Sequence, residues 1–256
     1  SGDLSEAEKY YKAAIENRLK YTPKSSNLGV DYINIGELYA AKNQYSKAFS
    51  YYCKAENIFE THFGKKNNYL SATYTAYANL FEKQNEINKA LAYYQQALIA
   101  VSGSFNSSNI SMNPQIADAT SKLDMLKALK GKAQSILKRD KANTQDFELS
   151  LNTYQLAIQL IDDISKSYIN DESKLFLSEN EKNTYVEAMQ LAEKLFYITK
   201  KSEFVNIAFA FAEKSKSSVL MANIRANEAM KFGKIPSFIQ SIEQNLKNNL
   251  SFNEQS

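Results

Sequence analysis

Glycine and proline are scarce: 7 and 3 residues in a chain of 256, with no tryptophan, one cysteine and one histidine. So few turn-formers, beside abundant Lys, Glu, Ala, Leu and Gln, exclude a sheet of many short strands and favour long helices. The lone Cys53 excludes an internal disulfide. Arginine occurs only at Arg18, Arg139 and Arg225, and a net charge of +3 is thin for this length, so nothing in the composition calls for a nucleic acid. No apolar run reaches the ~20 residues of a membrane span. The longest, Phe204 to Ala212, is interrupted by Asn206.

What the sequence does contain is repetition. Ala-x-x-x-Tyr-x-x-Ala stands at Ala7/Tyr11/Ala14, Ala48/Tyr52/Ala55 and Ala90/Tyr94/Ala97, at steps of 41 and 42 residues. Ser150/Tyr154/Ala157 repeats it once more with serine in first place. A fixed period of this kind marks a stacked array of helical units. Residues i, i+4 and i+7 share one helical face, so the alanines admit a neighbouring helix and the tyrosine fills the space beside it. Ahead of each copy lies the pattern expected of a partner helix: Tyr32, Ile35-Gly36 and Tyr39, then Tyr74, Tyr77-Ala78 and Phe81. The signature tyrosines are expected to pack between helices with their hydroxyls reaching solvent or a partner.

These units resemble tetratricopeptide repeats with a second helix longer by about two turns, similar to kinesin-light-chain-like arrays. The resemblance implies an all-α helical solenoid, a right-handed superhelix of helix-turn-helix repeats. Residues 1–170 then hold a half repeat and three long-period repeats, and 171–256 degenerate helical repeats or capping helices that lead to a further domain. Asp3 with Glu6 reads as a helix start with its partner helix missing, so the chain is expected to be a piece cut from a longer protein.

Between repeats, Ser102 to Gln115 reads as a loop, ordered or mobile, and Lys138 to Gln145 as a long internal turn. Leu123, Leu126, Leu129, Ala133 and Ile136 form an apolar stripe. Ser178-x-x-Glu181 reads as a capping box that opens a helix with Tyr185, Ala188, Met189, Ala192, Leu195 and Phe196 on its buried side. Small residues Ala208, Ala212, Val219 and Leu220 suit close packing, and after Gly233 and Pro236 an amphipathic run passes through Phe238, Ile242 and Leu246.

The string Ala208-Phe209-Ala210-Phe211-Ala212-Glu213-Lys214-Ser215-Lys216-Ser217-Ser218-Val219-Leu220, followed by Gly233-Lys234-Ile235-Pro236, resembles the segment ahead of the caspase-like CHAT domain in bacterial tetratricopeptide-CHAT proteins. Supporting strings are Leu126 to Ala133 and Glu172 to Ser178. The resemblance implies a sensor or regulatory region whose catalytic His and Cys lie in a later domain, with that domain as one partner. A free-standing adaptor and the sensor of a transcriptional regulator are the alternatives.

The chain itself offers no catalytic pair. Cys53 and His62, nine residues apart on one helix, point about 180° apart, and read as a small packing residue and a helix-end residue. Asp162-Asp163 and Glu56/Glu60 have no His or Cys at ligand spacing, so no metal and no cofactor are expected. No glycine-rich phosphate loop occurs. The partner expected is a protein or peptide, held on the inner face lined by the first helix of each repeat. Repeat position puts Asn34, Glu37, Thr75, Asn79 and Glu82 on that face. Alanine at Asn79 and Glu82 is expected to weaken binding and leave thermal stability unchanged. Chaperone-type repeats clamp a terminal carboxylate with Lys, Arg and Asn; Ile33, Glu37, Ala72 and Ala76 occupy those places here, which disfavours such a ligand. Lys127, Lys130, Lys138 and Lys141 fall within about 80° of one another on a helix, a basic ridge that reads as a solvated face, or as a surface for an acidic partner or nucleic acid. The cytoplasm is the compartment expected.

Overall fold

The computed structural model of the chain describes residues 2–168 and 171–215, without the side chains of 2, 3, 171, 172 and 175. The expected roles of Asp3, of Val219 and Leu220, and of the run through Gly233, Pro236, Phe238, Ile242 and Leu246 lie outside what is described. The helices are α1 (Gly2–Tyr21), α2 (Asn27–Ala41), α3 (Tyr45–Phe63), α4 (Asn68–Lys83), α5 (Ile87–Ala100), α6 (Lys122–Leu137), α7 (Thr144–Ser167) and α8 (Asp171–Thr199). A further helical run covers 203–215. Consecutive helices pack as hairpins, α2 on α3, α4 on α5 and α6 on α7, and each hairpin packs on the next. The fold is an all-α stack of paired helices, a tetratricopeptide-like solenoid.

The turns inside the hairpins explain how the chain manages with little glycine. Asn43 and Asn85 take left-handed backbone, φ 58° and 60°. Around them the Gln44 amide reaches back to the Tyr39 carbonyl at 2.8 Å and Glu86 to Phe81 at 2.9 Å, the same closure twice. Asparagine bears this conformation better than other side chains because its short amide can hydrogen-bond locally. Lys141 and Lys200, with φ 56° and 59°, mark the corresponding places after α6 and α8. Residues 171–215 thus repeat the helix, left-handed turn, helix pattern although the alanine signature has decayed.

The signature face forms the core. Ala48, Ala55, Ala90 and Ala97 are wholly buried, and Tyr52, Tyr94 and Tyr154 are nearly so. Ser150 is tolerated in the alanine position because its hydroxyl donates to the Ala133 carbonyl at 2.8 Å. Two of these tyrosine hydroxyls meet acceptors within the protein: Tyr94 donates to Asn79 at 2.6 Å and Tyr154 to Glu187 at 2.7 Å. Helix α1 is tied to α2 by Glu8, which accepts from Tyr39 at 2.8 Å and Lys42 at 2.6 Å.

Three local expectations are corrected. Leu123 is 48% exposed, and the buried stripe of α6 runs instead through Met125, Ala128 and Lys132 beside Leu126, Leu129, Ala133 and Ile136. Helix α8 begins at Asp171, so Ser178 lies in its interior and caps nothing. The Glu181 carboxylate is drawn to Lys130 and Thr184 instead. Cys53 is exposed, its sulfur accepting from the Tyr77 hydroxyl at 3.1 Å.

The segment between α5 and α6 is an ordered loop pinned at its neck. Ser102 bridges Ala119, and the Thr120 amide donates to the Val101 carbonyl at 2.8 Å. Asp118 accepts from the amides of Ser104 and Phe105, each at 3.0 Å, which holds its carboxyl below the usual range. Lys66, from before α4, donates to the carbonyls of Ser102, Gly103 and Phe105. With both backbone and charge engaged, the loop behaves as a compact Ω-loop on the surface.

Candidate functional site

The first helices α2, α4, α6 and α8 line one face of the stack, and the residues expected on it fall into two groups. Asn34 and Thr75 are half-buried. Glu37 remains accessible to solvent, but crowding by the neighbouring helices raises its carboxyl pKa, while Lys127 of α6 and Lys83 of α4 pull it back. Asn79 and Glu82 are engaged within the protein. Asn79 accepts the Tyr94 hydroxyl, and Glu82 accepts from Ser135 and, at 3.0 Å, from Lys138, joining α4 to α6.

The four lysines do not form one helical ridge, because α6 ends at Leu137 and leaves Lys138 and Lys141 in the turn. Lys127 pairs with Asp124 at 3.5 Å, Lys130 with Glu181 at 2.6 Å and Lys138 with Glu82. Lys141 stands apart from these, on the wall of a polar 730 Å³ cavity shared with Asn85, Asn88, Arg139 and Asp146. There Arg139 is already held by Asp146 at 2.7 Å.

On this face of the described residues lies a concavity that repeat position alone does not reveal. Helices α4 and α6 pack directly on one another, whereas α6 and α8 are bridged by side chains, Lys130 to Glu181 and Gln134 to Glu187 at 2.9 Å. Beside the second bridge lies a slot of 550 Å³. Leu137 of α6 and Lys138 just after it form one wall, Gln190, Leu191 and Lys194 of α8 the other, and Phe147 and Tyr154 of α7 the floor. The Lys194 ammonium sits 3.9 Å from the centre of the Phe147 ring. Burial, reinforced by the Glu187 carboxylate, raises the Tyr154 hydroxyl above its ordinary pKa, so it stays protonated and donating.

Sequence reasoning also missed Lys132. It is fully buried, and its ammonium donates to Gln95 Oε1, the Met112 carbonyl and Asn113 Oδ1 at 2.7–2.8 Å. Burial, with no carboxylate nearby to offset it, pushes its pKa down to about 7. Gln95 in turn donates to the carbonyls of Ser107 and Asn109. The pair pins the loop against α5 and α6, and Asn113 extends the hold to Thr153 of α7 at 3.1 Å. A signal was present: Lys132-Ala133 occupies the bulky-then-small place held by Tyr77-Ala78 in the preceding unit.

His62 and Cys53 sit on the same helix without meeting: the imidazole lies against the carbonyls of Ile58 and Lys24. Among the described residues no three His, Cys, Asp or Glu side chains come together as a metal site. No helix among them is long and apolar enough to cross a membrane.

Residues 1–61 match the tetratricopeptide repeat family. The chain carries a repeat of that kind at its start. No curated protein matches the sequence. Among solved structures, the crystal structure of BtubC (BKLC) from P. vanneervenii is similar at 14% identity, covering 86% of this chain and 92% of that one, with a TM-score of 0.46.

Proposed function

We propose that this chain is a protein-binding scaffold that holds a peptide segment of its partner on the face lined by α2, α4, α6 and α8. The observation that carries the reading is the slot between α6 and α8, a concavity with an apolar floor and polar rim on the surface where stacked helical hairpins receive extended ligands. A photo-crosslinking residue at Gln190, on the slot wall, is expected to capture the partner. The same residue at Glu60, exposed on the second helix α3, is expected not to. Capture from Glu60 alone would contradict the reading.

We further propose that the scaffold is the sensing or regulatory arm of a larger cytoplasmic protein with a caspase-like CHAT domain. What supports this is the resemblance of the strings from Ala208 to Leu220 and from Gly233 to Pro236. Reading the coding sequence past Ser256 tests it: an α/β segment with a His and a later Cys is expected. A helix-turn-helix, or a stop codon that leaves a free-standing adaptor, would overturn it.

A further inference from the structure

The slot between α6 and α8 has a chemistry narrower than "peptide". Its floor and walls offer Leu137, Phe147, Leu191 and the ring of Tyr154. The acceptor in the slot is largely occupied: one oxygen of Glu187 already takes the Tyr154 hydroxyl and the Gln134 amide. Lys138 is shared with Glu82. Lys194 and Gln190 are different. Both are exposed, and among the described residues neither has an ion-pair or hydrogen-bond partner, Lys194 resting only on the Phe147 ring. The rim therefore presents one unpaired ammonium, Lys194, and the Gln190 amide as unused donors, while Lys138 and the Glu187 oxygen are already bonded.

We propose, on the reading that this face binds peptide, that the slot selects a segment in which a leucine- or phenylalanine-sized side chain is flanked by Asp or Glu. The apolar side chain displaces water from Leu137, Phe147 and Leu191. The flanking carboxylate accepts from Lys194 and Gln190. A basic segment is rejected, because the unpaired Lys194 would face like charge across a partly desolvated slot. The volume of 550 Å³ lies within the range of ligand clefts and exceeds one side chain, so the residues flanking the anchor enter too.

The test is to pan a library of random short peptides against the whole chain, then measure the enriched peptides by fluorescence anisotropy on the wild type and on Lys194→Glu, Lys194→Arg and Leu137→Asp, each checked for native helicity. The expected result is enrichment of apolar residues flanked by Asp or Glu. Binding is expected to fall about tenfold or more in Lys194→Glu and Leu137→Asp and to persist in Lys194→Arg. Enriched peptides that are basic or uncharged, or that bind Lys194→Glu as well as wild type, overturn the slot's assignment while leaving peptide binding intact. No enrichment at all overturns both.

Discussion

Tyr94 of α5 lies so close over Gly131 of α6 that a Cβ at residue 131 would stand 2.2 Å from its ring. Gly36 stands in the same relation to Tyr52, at 2.4 Å. In each case a signature tyrosine fills the space that an absent side chain leaves, once across two hairpins and once within one. Both tyrosines are buried and cannot swing away. Gly131→Ala is therefore expected to destabilise the chain by about 1–3 kcal/mol through overpacking. A lowered urea midpoint measures it; an unchanged midpoint would mean the hairpins are free to shift apart.

Lys132 makes stability depend on pH in a direction opposite to that of most lysines in ion pairs. Its pKa is about 7 in the folded chain and 10.5 when unfolded. Between these values the unfolded chain binds the additional proton, so stability rises with pH through this window. As pH falls from 10.5 through 7 the contribution is lost, and below that it is level. Lys132→Met removes the dependence. At neutral pH it also leaves Gln95 Oε1 and Asn113 Oδ1 without a donor, while the Met112 carbonyl keeps its bond from the Gln95 amide, a net cost of about 1–3 kcal/mol. Urea midpoints of wild type and variant across the window check this; parallel curves would contradict it.

Glu82 gives a third outcome, and one that revises the expectation from sequence. Placed on the inner face, it reads as a ligand residue whose loss spares stability. Its bonds to Ser135 and Lys138 make it a tether between α4 and α6. Glu82→Ala is expected to lower stability by about 1 kcal/mol, a modest figure because Lys138 is half-exposed. Glu82→Gln, which keeps the Ser135 bond, is expected to lose less. Equal thermal midpoints for Glu82→Ala and wild type would remove the tether from the account.

The fold was legible because its determinants are local. The alanine and tyrosine spacing identifies each second helix from one face, and the Tyr32 and Tyr74 patterns identify the partner helices. Where a determinant is a long-range polar contact, the sequence is silent. The grip of Lys66 on the loop spans more than thirty residues, and the Lys130–Glu181 bond that draws Glu181 away from a cap spans 51. The basic ridge failed for a related reason: its spacing assumed a helix through Lys141, but α6 stops at Leu137 and the chain turns. The slot depends on how far α6 and α8 stand apart, which no residue pattern encodes.

In the proposed binding mode, ligand is held on the face of the first helices, at the slot between α6 and α8. Hydrogen exchange of the whole chain, with and without a peptide selected on it, tests this most directly. Slowed exchange is expected in the last turn of α6, around Gln134 to Leu137, and in the second half of α8, around Gln190 to Lys194. The loop from Ser102 to Ser121 and the outer helix α3 are expected to exchange as before. Protection confined to that loop or to α3 would contradict it.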